Sequence, residues 1–285
     1  MVDSNEDGMQ TPPTITDTQA LARNRSRATR RPAFFLHDML RREVQQRLGE
    51  INKLFSSPAI ISAFPEIWKS DFPTAHLVME NEDLALGVGR HDLVIHALSL
   101  HWTNDLVGQL VQCRRALRPD GLFLGFLFGG QTLNELRSAL AQAEVSISGG
   151  LSARVLPMAE IRDLGALLQR AGLSLPVADS FTQTALYQDP LGLLHDLRNM
   201  GEASALDARP RSFTRRALFA QMAQIYQSHY GTTDGRVRAS FEIICLTGWA
   251  PDESQQKPLR PGSAVTRLAD ALKAIEKPSA PNKQG

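Results

Sequence analysis

The residues best suited to chemistry in this chain lie together in one short turn: Ser99, His101, Trp102, Asn104 and Asp105. A free histidine titrates near neutrality, so His101 could act as acid or base, and Trp102 could stack on a planar ligand. The same residue types have a plain structural use, with Trp102 in the core and Asn104 or Asp105 capping the next helix. The sequence leaves both uses open. Upstream, the acids Glu80, Glu82 and Asp83 close a short strand candidate. Cys113 and Cys245 have no His or Cys beside them at metal-ligand spacing. No metal site is predicted, and both thiols are expected in the core of a protein from a reducing compartment. The chain has no nucleophile elbow, Walker loop, HExxH helix or CxxC pair. Gly87 and Gly89 precede a strand, whereas a phosphate loop must follow one and open a helix.

The elements that position these residues center on 90–130. A buried strand over 92–98 leads to the polar turn, a helix over 105–117, a Pro-Asp-Gly turn and a second apolar strand over 122–128. Two near-continuous apolar runs suit strands covered by helices on both faces. The polar turn then stands at the carboxyl end of a strand, where open α/β sheets bind their ligands. Further strands are predicted over 59–62, 76–80, 173–186 and 237–249. Helices are predicted over 34–54, 132–145, 157–171, 190–200 and 215–230, with Thr132 and Glu135 as a capping box. The alternation gives an α/β fold with a mainly parallel sheet and the last strand as an antiparallel partner.

The 285 residues are 42% apolar and 21% charged, ordinary values for a globular protein. A net charge of +1 gives no overall field for nucleic acid, and no nucleic-acid partner is expected. No apolar run reaches the length of a membrane span. The first twenty residues are polar and include Asp3, Glu6 and Asp7, which argues against secretory and mitochondrial presequences and predicts a cytoplasmic protein. Residues 1–31 are expected to be disordered and to end in an arginine-rich arm (Arg23, Arg25, Arg27, Arg30 and Arg31). That arm is either a solvated approach to the next helix or a docking arm for an acidic surface or a membrane. A single domain is expected over 32–252, followed by a mostly disordered tail with a helical turn or two around 265–275.

Glu80 closing its strand, then HDLVIHALSLHW, then ALRPDGLFLGFLFGG, resembles the second half of the class I S-adenosylmethionine (SAM)-dependent methyltransferase fold. The runs SLHWTNDL, GGQTLNELRSAL, RDLGALLQRAGL, DLRNMGE and DGRVRASFEIICLTGW are similar to the methyltransferase-fold assembly factors of respiratory complex I. The malonyl carrier-protein methyltransferases are more distant cousins, similar mainly through the HW and RPDG segments. The resemblance implies a Rossmann-like class I methyltransferase sheet and SAM as cofactor, with Glu80 and Ser99 on the cofactor side and His101 and Trp102 near the transferred group. It also implies a complex I subunit or other protein client, toward which Arg137, Arg154 and Trp249 are candidate contacts. Arg137 and Arg154 can equally be surface or intramolecular ion pairs.

The first half departs from that family. No glycine lies between Gly49 and Gly87, although a SAM loop after the first strand needs glycine for close backbone approach. Residues 55–80 hold about two short strands, where two full strand-helix units plus a strand need roughly 40 residues. The sheet is therefore expected to lack a strand and one or two helices. Two functions follow: a methyltransferase-like binding protein with weak or lost SAM binding, or an active SAM-dependent methyltransferase or arginine-modifying enzyme.

Overall fold

A computed structural model describes residues 14–255. The predicted tail helix and the first thirteen residues lie outside the described residues. Seven helices and six strands follow in the order α1 (Thr18–Ala28), α2 (Phe35–Glu50), β1 (Pro58–Ser62), β2 (His76–Met79), β3 (His91–Ala97), α3 (Leu106–Ala116), β4 (Leu117–Phe128), α4 (Asn134–Ser148), α5 (Ile161–Arg170), β5 (Ser174–Tyr187), α6 (Pro190–Asn199), α7 (Arg216–Tyr230) and β6 (Val237–Trp249).

All six strands form one sheet in the order β2-β1-β3-β4-β6-β5. The pairs β1–β2, β1–β3 and β3–β4 are parallel, and β6 runs antiparallel to both β4 and β5. This is the class I methyltransferase sheet expected from the sequence, and its first half is short. Only a single 3-10 turn, Pro65–Trp68, lies between β1 and β2, and no helix or strand lies between β2 and β3.

Strict alternation along the central strands divides the core in two. Ile60, Leu93, Ile95, Leu124, Phe126, Phe241 and Ile243 face α2, α4, α6 and α7. Ile61, Val94, Phe123, Leu127, Ile244 and Leu246 face α3 and α5 on the other side. β3 is buried almost throughout because helices cover both faces, whereas the edge strand β5 alternates between exposed and half-buried positions. On α2, Leu36, Leu40 and Val44 recur at helical spacing and sink fully into the first core.

Several local expectations are corrected. The arm is not disordered over 14–31, because α1 runs from Thr18 to Ala28, with Asp17 accepting the Ala20 N–H at 2.9 Å as its N-cap. The Thr132–Glu135 capping box does not form. The Thr132 hydroxyl instead donates to the Glu242 carbonyl and accepts the Glu242 N–H, while Glu135 binds Ser240. The helix there starts at Asn134 from Leu133, whose φ is +53°. The Pro119-Asp120-Gly121 turn is an irregularity inside β4: the register slips between His91↔Leu117 and Leu93↔Leu122, with Asp120 at φ +58°.

Candidate functional site

β1, β2, β3 and β4 all end at one edge of the sheet, and the polar turn lies there as predicted. The turn contains a short 3-10 helix, Leu100–Trp102, after which Asp105 caps α3 by accepting the Gly108 N–H at 2.8 Å. Asp105 is thus a cap. Asn104 accepts the N–H groups of Ile15 and Thr16 and donates to Glu82 and to the Thr16 carbonyl, which pins the segment entering α1.

The site's central group was not singled out from the sequence. Glu202 follows Gly201, which ends α6 at φ +77° and turns the chain back toward the sheet edge. The Glu202 carboxylate accepts the Trp102 Nε1–H at 2.7 Å and stands 3.2 Å from His101 Nε2. Its other oxygen accepts from Arg25 Nη1 at 2.5 Å. Arg25 Nε donates to Glu80 at 2.8 Å, Nη1 also reaches the Met200 carbonyl at 3.2 Å, and the guanidinium lies 5.8 Å from the center of the Phe64 ring. Two carboxylates and an aromatic face therefore enclose one guanidinium, and Arg25 is 7% exposed. A Cβ on Gly201 would come within 2.9 Å of Arg25 Cδ, so the turn's close approach to Arg25 depends on glycine.

The electrostatics follow from this enclosure. Burial opposes the charge on Glu202, but Arg25, His101 and the Trp102 N–H outweigh it and hold the carboxyl well below the usual range. Burial likewise opposes the charge on Arg25, and Glu202 and Glu80 reverse that effect and raise its pKa. His37, packed edge-on against Phe64 at 5.5 Å, is pushed down to about 4 by burial, with Arg25 adding to the effect. Three buried nitrogens around the cage have no partner: Arg25 Nη2, His37 Nδ1 and His101 Nδ1.

Ser99 belongs to a neighboring network. Gln109 Nε2 donates to the Asn81 and Glu82 carbonyls, so its oxygen accepts from His96 Nε2, and the Ser99 hydroxyl donates to His96 Nδ1. Burial pushes His96 down to about 4, in keeping with a neutral ring.

Two cavities flank the cage. One, of about 390 Å³, is mostly apolar, bounded by Phe128, Leu136, Leu197 and Phe219 and reached by Trp102 and Glu202. The other, of about 160 Å³, lies between α1 (Thr18, Leu21, Ala22) and Glu80, Ser99 and Gln109. This second cavity is where the resemblance puts SAM, and the residues present do not fit that cofactor with α1 in place. Glu80 is already paired with Arg25, the buried Phe64 follows β1 where a glycine loop would stand, and the space is below the roughly 300 Å³ of small-molecule sites.

Glu80, Ser99, His101 and Trp102 all lie at this one edge of the sheet, Ser99 and Glu80 lining the smaller cavity and His101 and Trp102 facing Glu202. The other candidates are set apart. Arg154 borders the larger cavity but is paired with Glu144 at 2.8 Å. Arg137 ties down the Gly130, Thr132 and Leu156 carbonyls. Trp249 pairs with Leu122 and Ser174 at the opposite end of the sheet, 5.4 Å from Lys53 Nζ. Among the described residues no cluster of His, Cys, Asp and Glu could hold a metal ion, and no helix is long and apolar enough to cross a membrane.

No family model matches the chain. It is 37% identical over 223 residues to the zebrafish mitochondrial arginine-hydroxylase NDUFAF5, covering 78% of this chain and 69% of that protein. The chain belongs to the NDUFAF5 family of complex I assembly factors. Its Dictyostelium discoideum member is 44% identical over 201 residues, 70% of this chain and 46% of its own length. The chain thus spans between about half and two thirds of these relatives. A malonyl-[acyl-carrier protein] O-methyltransferase from Methylovorus is 31% identical over 181 residues, 63% of this chain and 58% of that one. Among solved structures, a protein of an antibiotic biosynthesis pathway in Anabaena variabilis superposes with a TM-score of 0.48 at 15% identity, over 72% of this chain and 96% of that one. The fold assignment stands on the strand order. The expectation of a cytoplasmic protein is corrected: the NDUFAF5 relatives are mitochondrial by name. Acidic residues near an amino terminus bear on one type of import signal and do not define a compartment.

Proposed function

We propose that this protein serves complex I assembly by binding a client polypeptide through an arginine, at the edge formed by Glu80, His101, Trp102 and Glu202, and that SAM binds weakly or not at all. The observation that carries the reading is Arg25 seated between Glu80 and Glu202 on the side where a class I methyltransferase holds its cofactor. The relatives' name, arginine-hydroxylase NDUFAF5, contributes the arginine, and the resemblance to complex I assembly factors contributes the client. Isothermal titration with SAM and with its demethylated product tests the cofactor half, where a flat trace to millimolar ligand is expected and micromolar binding refutes it. Pull-down from the source cell tests the client half. Complex I subunits or their precursors are expected, and their absence counts against it.

A second reading, an active enzyme that methylates or otherwise modifies arginine, draws on His101. Its side chain is 1% exposed, its Nδ1 has no partner, and Trp102 stands beside it with ring centers 5.7 Å apart. The methylating form of that reading requires α1 to leave the cofactor side, and the same titration decides that form.

A further inference from the structure

From the way Arg25 is held, we infer that the cage of Glu80, Glu202 and Phe64 is the receptor site for the client's arginine side chain, and that α1 is its displaceable internal occupant. This rests on the client reading above and names the site and its regulation.

The first observation is the cage. It presents carboxylates to the Nε and Nη1 edges of a guanidinium and an aromatic ring beside it, and it leaves Nη2 unpartnered, as are the Nδ1 atoms of His37 and His101. That set recognizes a planar, forked cation, and a compact ammonium cannot reach both carboxylates in the same way.

A second, independent observation concerns how α1 is attached. Of its eleven residues, TQALARNRSRA, the only apolar side chains fully buried are Ala20 and Ala28. Leu21 adds a half-buried contact to the small cluster of Trp102, Leu156 and Leu206, and the rest of its hold is polar: the Asp17 N–H on the Ala205 carbonyl, Asp17 with Arg209 and Arg211, Asn24 on the Ala203 carbonyl, and Arg25 itself. A helix of this length is marginal alone, and elements held by few apolar contacts open at low cost. What opposes release is the cage, where two buried carboxylates would be left without a cation. An incoming arginine removes that obstacle because it restores the same contacts, whereas a neutral side chain does not. The larger cavity is lined by Glu202 and not by Glu80, and it gives the client chain a place to lie.

The test uses the full chain and three peptides: acetyl-Gly-Arg-Gly-amide and its lysine and citrulline counterparts. Hydrogen exchange of wild-type protein should show faster exchange across 18–28 with the arginine peptide alone. Arg25→Ala should bind that peptide at least about tenfold tighter than wild type, because the competing occupant is gone, and Glu80→Gln added to Arg25→Ala should weaken it again. Unchanged α1 exchange at saturating arginine peptide overturns the inference, as does equal affinity for the citrulline peptide. A folded Arg25→Ala protein that binds no arginine peptide also overturns it. If Arg25→Ala does not fold, the wild-type exchange measurement decides alone. Recovery of complex I subunits by pull-down with α1 still protected from exchange would sink this site and leave only the client-binding half of the proposed function standing.

Discussion

Cutting the link between Arg25 and Glu202 puts the cage to a quantitative test. Glu202 is buried and neutralizes a guanidinium that is itself buried, with side-chain exposures of 9% and 8%. Breaking a buried pair from one side typically costs about 3–5 kcal/mol, mostly because the abandoned charge stays desolvated. Arg25→Met abandons two carboxylates, Glu80 and Glu202, so the expected loss is near the upper end, about 5 kcal/mol. Glu202→Gln leaves Arg25 paired with Glu80 through Nε, and its amide oxygen can still accept from Trp102, which puts the loss near the lower end, about 3 kcal/mol. In the double variant no carboxylate at position 202 faces an empty cage, so its loss should fall short of the sum of the two single losses by about 2 kcal/mol, within the range seen for residues in one network. Urea unfolding followed by far-ultraviolet circular dichroism, at constant m-value, measures all three. Two single variants each costing less than about 1 kcal/mol, with strictly additive effects, would refute the claim that the pair is a desolvated, coupled unit.

Other outcomes follow from the same geometry. Stability should fall as pH drops from about 6.5 toward 4: His37 and His96 have folded pKa values pushed down to about 4, so the unfolded chain binds the extra protons in that window. His96→Asn should reduce the slope, and an unchanged pH profile would contradict the burial assigned to that ring. Cys113 and Cys245 are fully buried with thiol pKa values raised by burial, the latter to about 12, so neither should react with a thiol reagent at pH 8 until the protein unfolds. Leu175 is half exposed at φ +50°, and Leu175→Gly should stabilize the chain by up to about 1 kcal/mol in thermal unfolding by relieving the left-handed backbone. Phe126→Ala should cost about 3–5 kcal/mol, because this fully buried ring sits in the core packed against the face of the central sheet.

The middle of the chain was legible because its signals are local. β3 and β4 are continuous apolar runs, and α3 begins at an Asp cap. What failed to show in the sequence was set by partners distant along the chain. Thr132 and Glu135 have the right spacing for a capping box, but β6 supplies stronger partners in the Glu242 backbone and Ser240. α1 has no apolar stripe, so nothing in its own eleven residues distinguishes it from a solvated arm, and it is fixed by Asn104, Ala203 and Glu202. Glu202 carries the site yet has only one local mark, a glycine ending a helix. The run DLRNMGE contains it and contributes to the family resemblance, so the signal was present without a role attached.

The shortened first half and the captured helix are linked by one requirement. A parallel sheet has to be covered on both faces, and its carboxyl edge cannot leave polar groups buried without partners. Between β1 and β3 the chain supplies only a 3-10 turn and the short strand β2. The cover comes instead from the amino-terminal helices: α2 places Leu36, Leu40 and Val44 in the core beside Ile60 and Leu93, and Ala28 of α1 packs with Ala63 and Phe64 just after β1. Once Phe64 and α1 occupy that corner, Glu80 lies too deep to stay unpaired, and a buried carboxylate needs a cation. Arg25 meets that need, which makes the same acid that resembles a cofactor-binding group the anchor for a guanidinium. Any ligand that replaces α1 there must also bring a positive charge.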